Sequence, residues 1–317
     1  MERNIWSTMD RLSDGALEKA IKIVAVLLAV SLLSFGVYYY LDRYGRHDRA
    51  SVTEKALQSL EEEVRADPSN PGLRVAVAGA YLASNRYKEA IAQYQEALSV
   101  QPDNQQALIG VGHALYIAGR QDEAVEPYEQ VVELNRDNPG RYDAKPLALV
   151  YYNLGSIYLA SGRFDEAVES FQETIAVDNA DAEARYWLGE AHRKKGQWEK
   201  AAAAYRDAIR FVPNYLEAYQ GLMTAYTNLG DNVMAGYARG MASYAAKDFK
   251  AAIRQLEAVV KERPTLAEAH FGLGLAYEES GKSDSAAVAF RQVLDLEPQN
   301  LWAKGSLQRI GAWDGPR

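Results

Sequence analysis

A period of 34 residues constrains this chain more than any other feature of its sequence. Ala90, Ala124, Ala167, Ala201, Ala252 and Ala286 hold equivalent places, and four residues after each stands Tyr94, Tyr128, Phe171, Tyr205, Leu256 or Phe290. Every unit but the first carries a glycine upstream: Gly112, Gly155, Gly189, Gly240 and Gly274. Pro102, Pro213, Pro264 and Pro298 each follow an apolar helical stretch by a few residues. Self-similarity at this spacing marks one supersecondary unit that cannot bury its apolar face alone, so neighbouring units stack and share a continuous core. The unit is a helix pair, because alanine, glutamate and leucine recur and lose little rotamer freedom in a helix.

The segment YYNLGSIYLASGRFDEAVESFQETIAVD (151–178) shows the unit plainly. Gly155, lacking a Cβ, allows two helices to approach closely. Gly162 ends the first helix where a left-handed residue is needed. Asp165 and Glu166 open the second helix, where carboxylates complement the dipole. Ala167 is small where the helices cross, and Phe171 fills the space between them.

These residues resemble the tetratricopeptide repeat family, whose pattern runs W-x2-L-G-x2-Y…A-x3-F…P. YNLGSIY, YWLGEAH and FGLGLAY carry the Leu-Gly pair, while the Trp slot holds Tyr151, Arg185 and His270. The resemblance covers roughly residues 51–310 and implies an all-α, helix-turn-helix superhelical solenoid. Units are expected to start near Pro71, Gln105, Ala148, Ala182, Leu216 or Val233, and Ala267. Four departures stand out. Residues 51–65 read as only the second helix of a unit. A loop of about nine extra residues is expected around Asn138–Leu147, where Pro and Gly break the period. Leu216–Asn228 and Val233–Ala246 both read as first helices, so the latter is expected to serve as second helix to one unit and first to the next. Leu301–Ile310 is a lone helix suited to cap the last apolar face.

Ahead of the repeats, Ile23–Leu41 is a run of 19 residues without a charge. That length crosses a hydrocarbon core at 1.5 Å per residue, and Tyr38, Tyr39, Tyr40 and Tyr44 suit an interfacial belt. The run is long for a signal-peptide core and no small-x-small cleavage site follows it, so a retained single-pass transmembrane helix is expected. The organisation then reads as a tail (1–22), the transmembrane helix (23–41), a juxtamembrane linker (42–50), the solenoid (51–300), and a capping helix and tail (301–317). In the tail, Ile5, Met9, Leu12, Ala16 and Ala20 share one helical face, which suits a membrane surface or a partner helix equally. Arg3, Arg11, Lys19 and Lys22 precede the span, and Arg43, Arg46, Arg49 and Lys55 follow it. The positive-inside comparison is nearly tied; the tail, with charges of both signs, is expected to stay inside and the solenoid to be extracytoplasmic.

The chain has no cysteine, so thiol nucleophiles, thiolate zinc sites and iron–sulfur clusters are excluded. Residues 1–49 carry seven Lys/Arg against six Asp/Glu, so the body bears the net negative charge, which is −8 overall. An acidic body argues against nucleic acid. His47, His113, His192 and His270 fit no metal-ligand spacing. Gly281-Lys282-Ser283 ends like a phosphate loop but falls on a helix–helix turn, with Ala276 where the earlier glycine is required. Asp178, Asn179, Asp181 and Glu183 lack the spacing of a calcium loop and read as a turn and helix cap. No catalytic residues, metal, cofactor or small-molecule substrate is expected, and the chain reads as non-enzymatic.

The resemblance implies a concave binding face lined by first-helix positions. In this chain those hold Ile109, His113, Tyr116 and Ile117; Tyr152, Asn153, Ser156 and Leu159; and Tyr186, Glu190, Arg193 and Lys194. Gln220, Thr224, Phe271, Leu275 and Glu278 follow. Arg193, Lys194 and Lys195 form a basic rim, and the groove suits an extended or amphipathic helical peptide with apolar anchors and an acidic group. The family's chaperone-tail binders clamp a terminal carboxylate with Lys and Asn in early slots; Val75 and Gly79 stand there, which argues against that role. The expected function is a membrane-tethered scaffold or adaptor that binds partner proteins, in assembly or chaperoning at the membrane. The alternative is a stoichiometric structural subunit of a larger membrane complex.

Overall fold

In five helix pairs, a glycine on one helix faces a bulky side chain sixteen residues later on its partner. A Cβ on Gly112 would lie 2.7 Å from Tyr128, on Gly155 2.9 Å from Phe171, and on Gly189 2.6 Å from Tyr205. On Gly240 it would lie 2.6 Å from Leu256, and on Gly274 2.5 Å from Phe290. Each of these bulky residues is fully buried. The expected crossing glycines and the residues filling the crossings therefore meet directly.

The computed structural model describes residues 54–141, 145–313 and 315, together with Ser31 and Ser34. The segment Ile23–Leu41 lies outside them apart from those two serines, as do the tail and the linker. Among the described residues no helix is long and apolar enough to cross a membrane. All the regular structure described is helical, which bears out the all-α expectation.

The chain divides into two compact units, residues 1–100 and 101–317. In the first, α1 (54–66), α2 (Pro71–Ala83) and α3 (Tyr87–Val100) pack around Val77, Ala78, Ala90, Tyr94 and Ala97. The second holds α4 (Gln105–Ile117), α5 (Gln121–Leu134), α6 (Lys145–Ala160), α7 (Phe164–Val177), α8 (Ala182–Lys194) and α9 (Trp198–Phe211). It continues with α10 (Leu216–Leu229), α11 (Asn232–Ala245), α12 (Phe249–Glu262), α13 (Ala267–Glu279), α14 (Ser283–Leu296) and α15 (Leu301–Arg309).

Local chemistry sets these boundaries. Asn70, Asn104 and Asn300, each two residues after a proline, accept backbone N–H groups of α2, α4 and α15. An asparagine oxygen there satisfies donors that the first turn leaves unpaired. Inside the pairs, the chain reverses through a left-handed residue. Gly162 does so at φ +79°, but Asn85 (φ +60°) and Lys247 (φ +62°) hold the same place with a side chain.

A second recurring contact ties three of the pairs to the helix before them. Tyr81, Tyr158 and Tyr277 donate to Glu61 (2.6 Å), Glu129 (2.6 Å) and Glu257 (2.5 Å) on the preceding helix. A cation lies over each ring: Arg86 at 4.5 Å, Arg163 at 4.2 Å and Lys282 at 5.7 Å.

The departures from the period resolve as follows. The inserted loop is shorter than expected, because α6 begins at Lys145 and takes in Pro146 and Leu147. Proline is tolerated in the first helical turn, where its missing N–H would have no partner, and Leu147 is buried. Helix α11 packs against α10 on one side and α12 and α13 on the other. Gly236 faces Val259 and Gly240 faces Leu256 of α12, while Met241 meets Gly272 of α13. It therefore plays second helix to α10 and first helix to α12. Helix α15 buries Ala303, Ser306 and Leu307 against α13 and α14.

Two stability changes follow. Gly155→Ala drives a methyl into the Phe171 ring and should cost about 1–3 kcal/mol, read as a lowered urea midpoint by far-ultraviolet circular dichroism. Lys247→Gly relieves a left-handed side-chain residue and should raise stability by about 1 kcal/mol or less, the relief being partly offset by glycine's greater unfolded-state entropy. The same unfolding curve measures it.

Candidate protein-binding surface

The first helices α4, α6, α8 and α10 present the residues expected on the binding face, and the structure sorts them. Ile109, His113 and Tyr116 on α4 are half-buried, and Ile117 is exposed. His113 Nδ1 is buried without a hydrogen-bond partner among the described residues, and burial lowers the pKa of the ring. On α6, Tyr152 and Ser156 are half-buried, the Ser156 hydroxyl donating to the Tyr152 carbonyl (2.9 Å).

Asn153 departs from expectation. It is 3% exposed, and its Nδ2 donates to the Tyr128 hydroxyl (2.8 Å) between α6 and α5. One residue along a helix is a rotation of about 100°, enough to move a side chain from the surface to the interior. Asn153 satisfies a buried phenol and is not part of the face.

The centre of the face is aromatic. The Tyr186 ring lies 5.1 Å from Trp187 and 5.2 Å from Tyr215, with Tyr205 beneath it at 5.9 Å. Glu183 joins α6 to α8 by accepting from the Tyr152 hydroxyl (2.6 Å) and, more distantly, from Trp187 Nε1 (3.4 Å). Burial, with help from nearby carboxylates, pushes Tyr215 up to about 12 and raises Tyr152 and Tyr186. These phenols are neutral donors at physiological pH. Trp187 and Tyr215 escaped the sequence reading, and Glu183 was read only as part of a turn and helix cap. The signal for Trp187 and Tyr215 was an aromatic standing next to, and not in, the repeat columns.

The basic rim is largely neutralised within the fold. Burial opposes ionisation of Glu190, but hydrogen bonds from Arg193 and Tyr205 outweigh it and hold its carboxyl below the usual range. Arg193 forks onto Glu190 (3.0 and 2.6 Å), and the Tyr205 hydroxyl donates to the same carboxylate (2.5 Å). Lys195 is ion-paired with Asp165. Lys194 remains exposed.

The other singled-out groups have structural roles. Arg185, in the tryptophan slot, is 7% exposed; it donates to the Asn179 and Asp181 carbonyls and stacks on Phe211 at 4.3 Å. Asp181 caps α8 through Ala184 N–H (2.8 Å). His192 is buried and bonded to Gln197 (2.7 Å), and His270 meets the Pro264 carbonyl (2.8 Å). Gly281-Lys282-Ser283 forms the turn between α13 and α14. Glu278 is bridged by Arg309 of α15 (2.6 and 2.8 Å).

Two cavities flank the solenoid of the second unit. One of about 480 Å³ lies between α5, α6 and α7, edged by Arg136, Arg163, Glu129 and Glu166, and contains none of the expected face residues. The other, about 190 Å³, lies between α11, α13 and α15 and takes in Phe271 and Leu275 of the expected face.

Comparison with known proteins supports the fold. The C-terminal part of a TPR repeat-containing protein from Cytophaga hutchinsonii superposes with a TM-score of 0.51 at 18% identity, over 82% of this chain and 96% of that one. A double mutant of MamA from RS-1 superposes with a TM-score of 0.50 at 21% identity, over 56% of this chain and 95% of that one. Superkiller protein 3 of Schizosaccharomyces pombe is 26% identical over 157 residues, half of this chain, which spans only 11% of that protein's length. The sequence profile described as "Tetratricopeptide repeat" matches residues 75–139, 152–215 and 237–300, more than half of the chain, and the chain belongs to the tetratricopeptide repeat family.

Proposed function

We propose that this protein is a non-catalytic, membrane-tethered scaffold that recruits partner proteins through the aromatic face formed by α6, α8 and the N-cap residue of α10. Repeats of this family typically bind other proteins, and that much holds for the chain as a family member. The observation that carries the finer reading is the joined set Tyr152, Glu183, Tyr186, Trp187 and Tyr215. Rigid, half-buried aromatics with polar tips are the residues that dominate binding at protein interfaces. The face suits a peptide with apolar anchors and hydrogen-bonding groups. Because Arg193 and Lys195 are already paired, acidic groups of a partner gain little there.

The tether is Ile23–Leu41, supported by its length, its freedom from charge and its tyrosine belt. Tethering concentrates the repeats near membrane machinery, so modest contacts suffice. Assembly or chaperoning at the membrane, with the repeats on the extracytoplasmic side, fits this arrangement.

Tyr152→Ala combined with Tyr186→Ala should weaken partner retention by about thirtyfold or more, as loss of interface tyrosines does, while helicity stays intact. Quantitative co-purification of the full chain from its own membranes reads this. Undiminished retention would favour a structural subunit docked through another face. The absence of cysteine allows a clean topology test with Asp103→Cys in the exposed turn before α4. A membrane-impermeant maleimide should label it in intact cells; protection until lysis would place the repeats in the cytoplasm.

A further inference from the structure

The cavity between α11, α13 and α15 has a chemistry unlike the aromatic face. Tyr219, Tyr237, Phe271 and Trp302 supply its rings, and Glu268 and Glu297 its charge; no lysine, arginine or histidine lines it. Among the described residues, Glu297 accepts only from Asn300 Nδ2 (2.8 Å) and Glu268 has no ion pair. Burial raises both Tyr219, to about 12, and Tyr237, so neither phenol carries charge.

Two carboxylates among aromatic rings attract a cation, by direct charge and by the ring quadrupoles. At about 190 Å³ the cavity is smaller than the roughly 300–1,000 Å³ of small-molecule sites, and matches one long side chain. Trp302 lines the cavity, and Leu301 precedes it in the chain. Leu301 is 76% exposed and Trp302 79%, on the helix that otherwise seals the stack. An exposed tryptophan beside a concavity is the composition of an interface anchor. The net charge of −8 steers basic partners toward the chain.

We propose that this cavity receives a lysine or arginine side chain from a partner polypeptide whose apolar neighbours lie on Trp302 and Leu301. The proposal rests on the reading that the chain binds proteins, and adds a second contact point of defined charge. It is opposite in sign to a carboxylate clamp: an acidic segment would set its charge against Glu268 and Glu297.

The test uses the full chain in detergent and an immobilised pool of twelve-residue peptides, randomised around one fixed leucine. Peptides retained by the wild type should be enriched about tenfold or more in Lys and Arg over Asp and Glu, as desolvated cation–π and charge contacts allow. Glu268→Gln with Glu297→Gln should abolish that enrichment, and Trp302→Ala should reduce retention of the basic peptides, with helicity of both variants unchanged. No retention, no basic enrichment, or enrichment that survives the glutamine variant overturns the proposal. The Tyr152→Ala/Tyr186→Ala variant run in parallel keeps the two surfaces apart. Peptides lost from it but indifferent to Glu268 and Glu297 would sink this inference while leaving the scaffold reading intact.

Discussion

The fold depends on one close approach: a helix backbone, bare at glycine, laid against a large side chain sixteen residues later. Burying Phe171 or Tyr205 completely is worth a few kcal/mol, but only if the facing helix comes near enough to cover the ring. A Cβ at 155 or 189 would hold the helices apart. The glycine costs helix propensity and gains packing in return. Each pair remains unstable alone, because its outer face is also apolar, and the tyrosine–glutamate bonds show how the next helix is aligned. Tyr158 reaching Glu129 leaves a neutral donor bonded to a carboxylate under an arginine, an arrangement tolerant of partial exposure.

What repeats was legible; what does not repeat was harder to read. Gly112, Gly155, Gly189, Gly240 and Gly274 and their partners recur in fixed columns, so period alone located them. The doubled role of α11 was legible for the same reason, since the phase of the pattern slips by half a unit there. The start of α6 was not, because Lys145-Pro146 reads as a breaker when its place in the first turn is unknown.

The face was legible in outline only. First-helix positions gave Tyr152 and Tyr186, but not the rotation that turns Asn153 inward to Tyr128. The bonds that organise the surface link residues about 30 positions apart, as Tyr152 to Glu183 and Lys195 to Asp165 do. Neighbouring repeats bring such residues together, whereas local patterns report only three or four positions along one helix. For that reason the pairing of Lys195 with Asp165 could not be seen in a row of three cations, whereas that of Arg193 with Glu190 lies within three positions on one helix.

Helix α11 also changes how such a protein can lengthen. A stack in which one helix completes the pair behind it and opens the pair ahead does not have to grow by whole repeats. It accepts a single helix, and the helices beyond keep their own neighbours. Since packed helices lie about 8–10 Å apart, the distance between two docking points on the same molecule is adjustable in steps of one helix width. A ruler graduated this finely can match two contact points on a partner whose own spacing owes nothing to a 34-residue period.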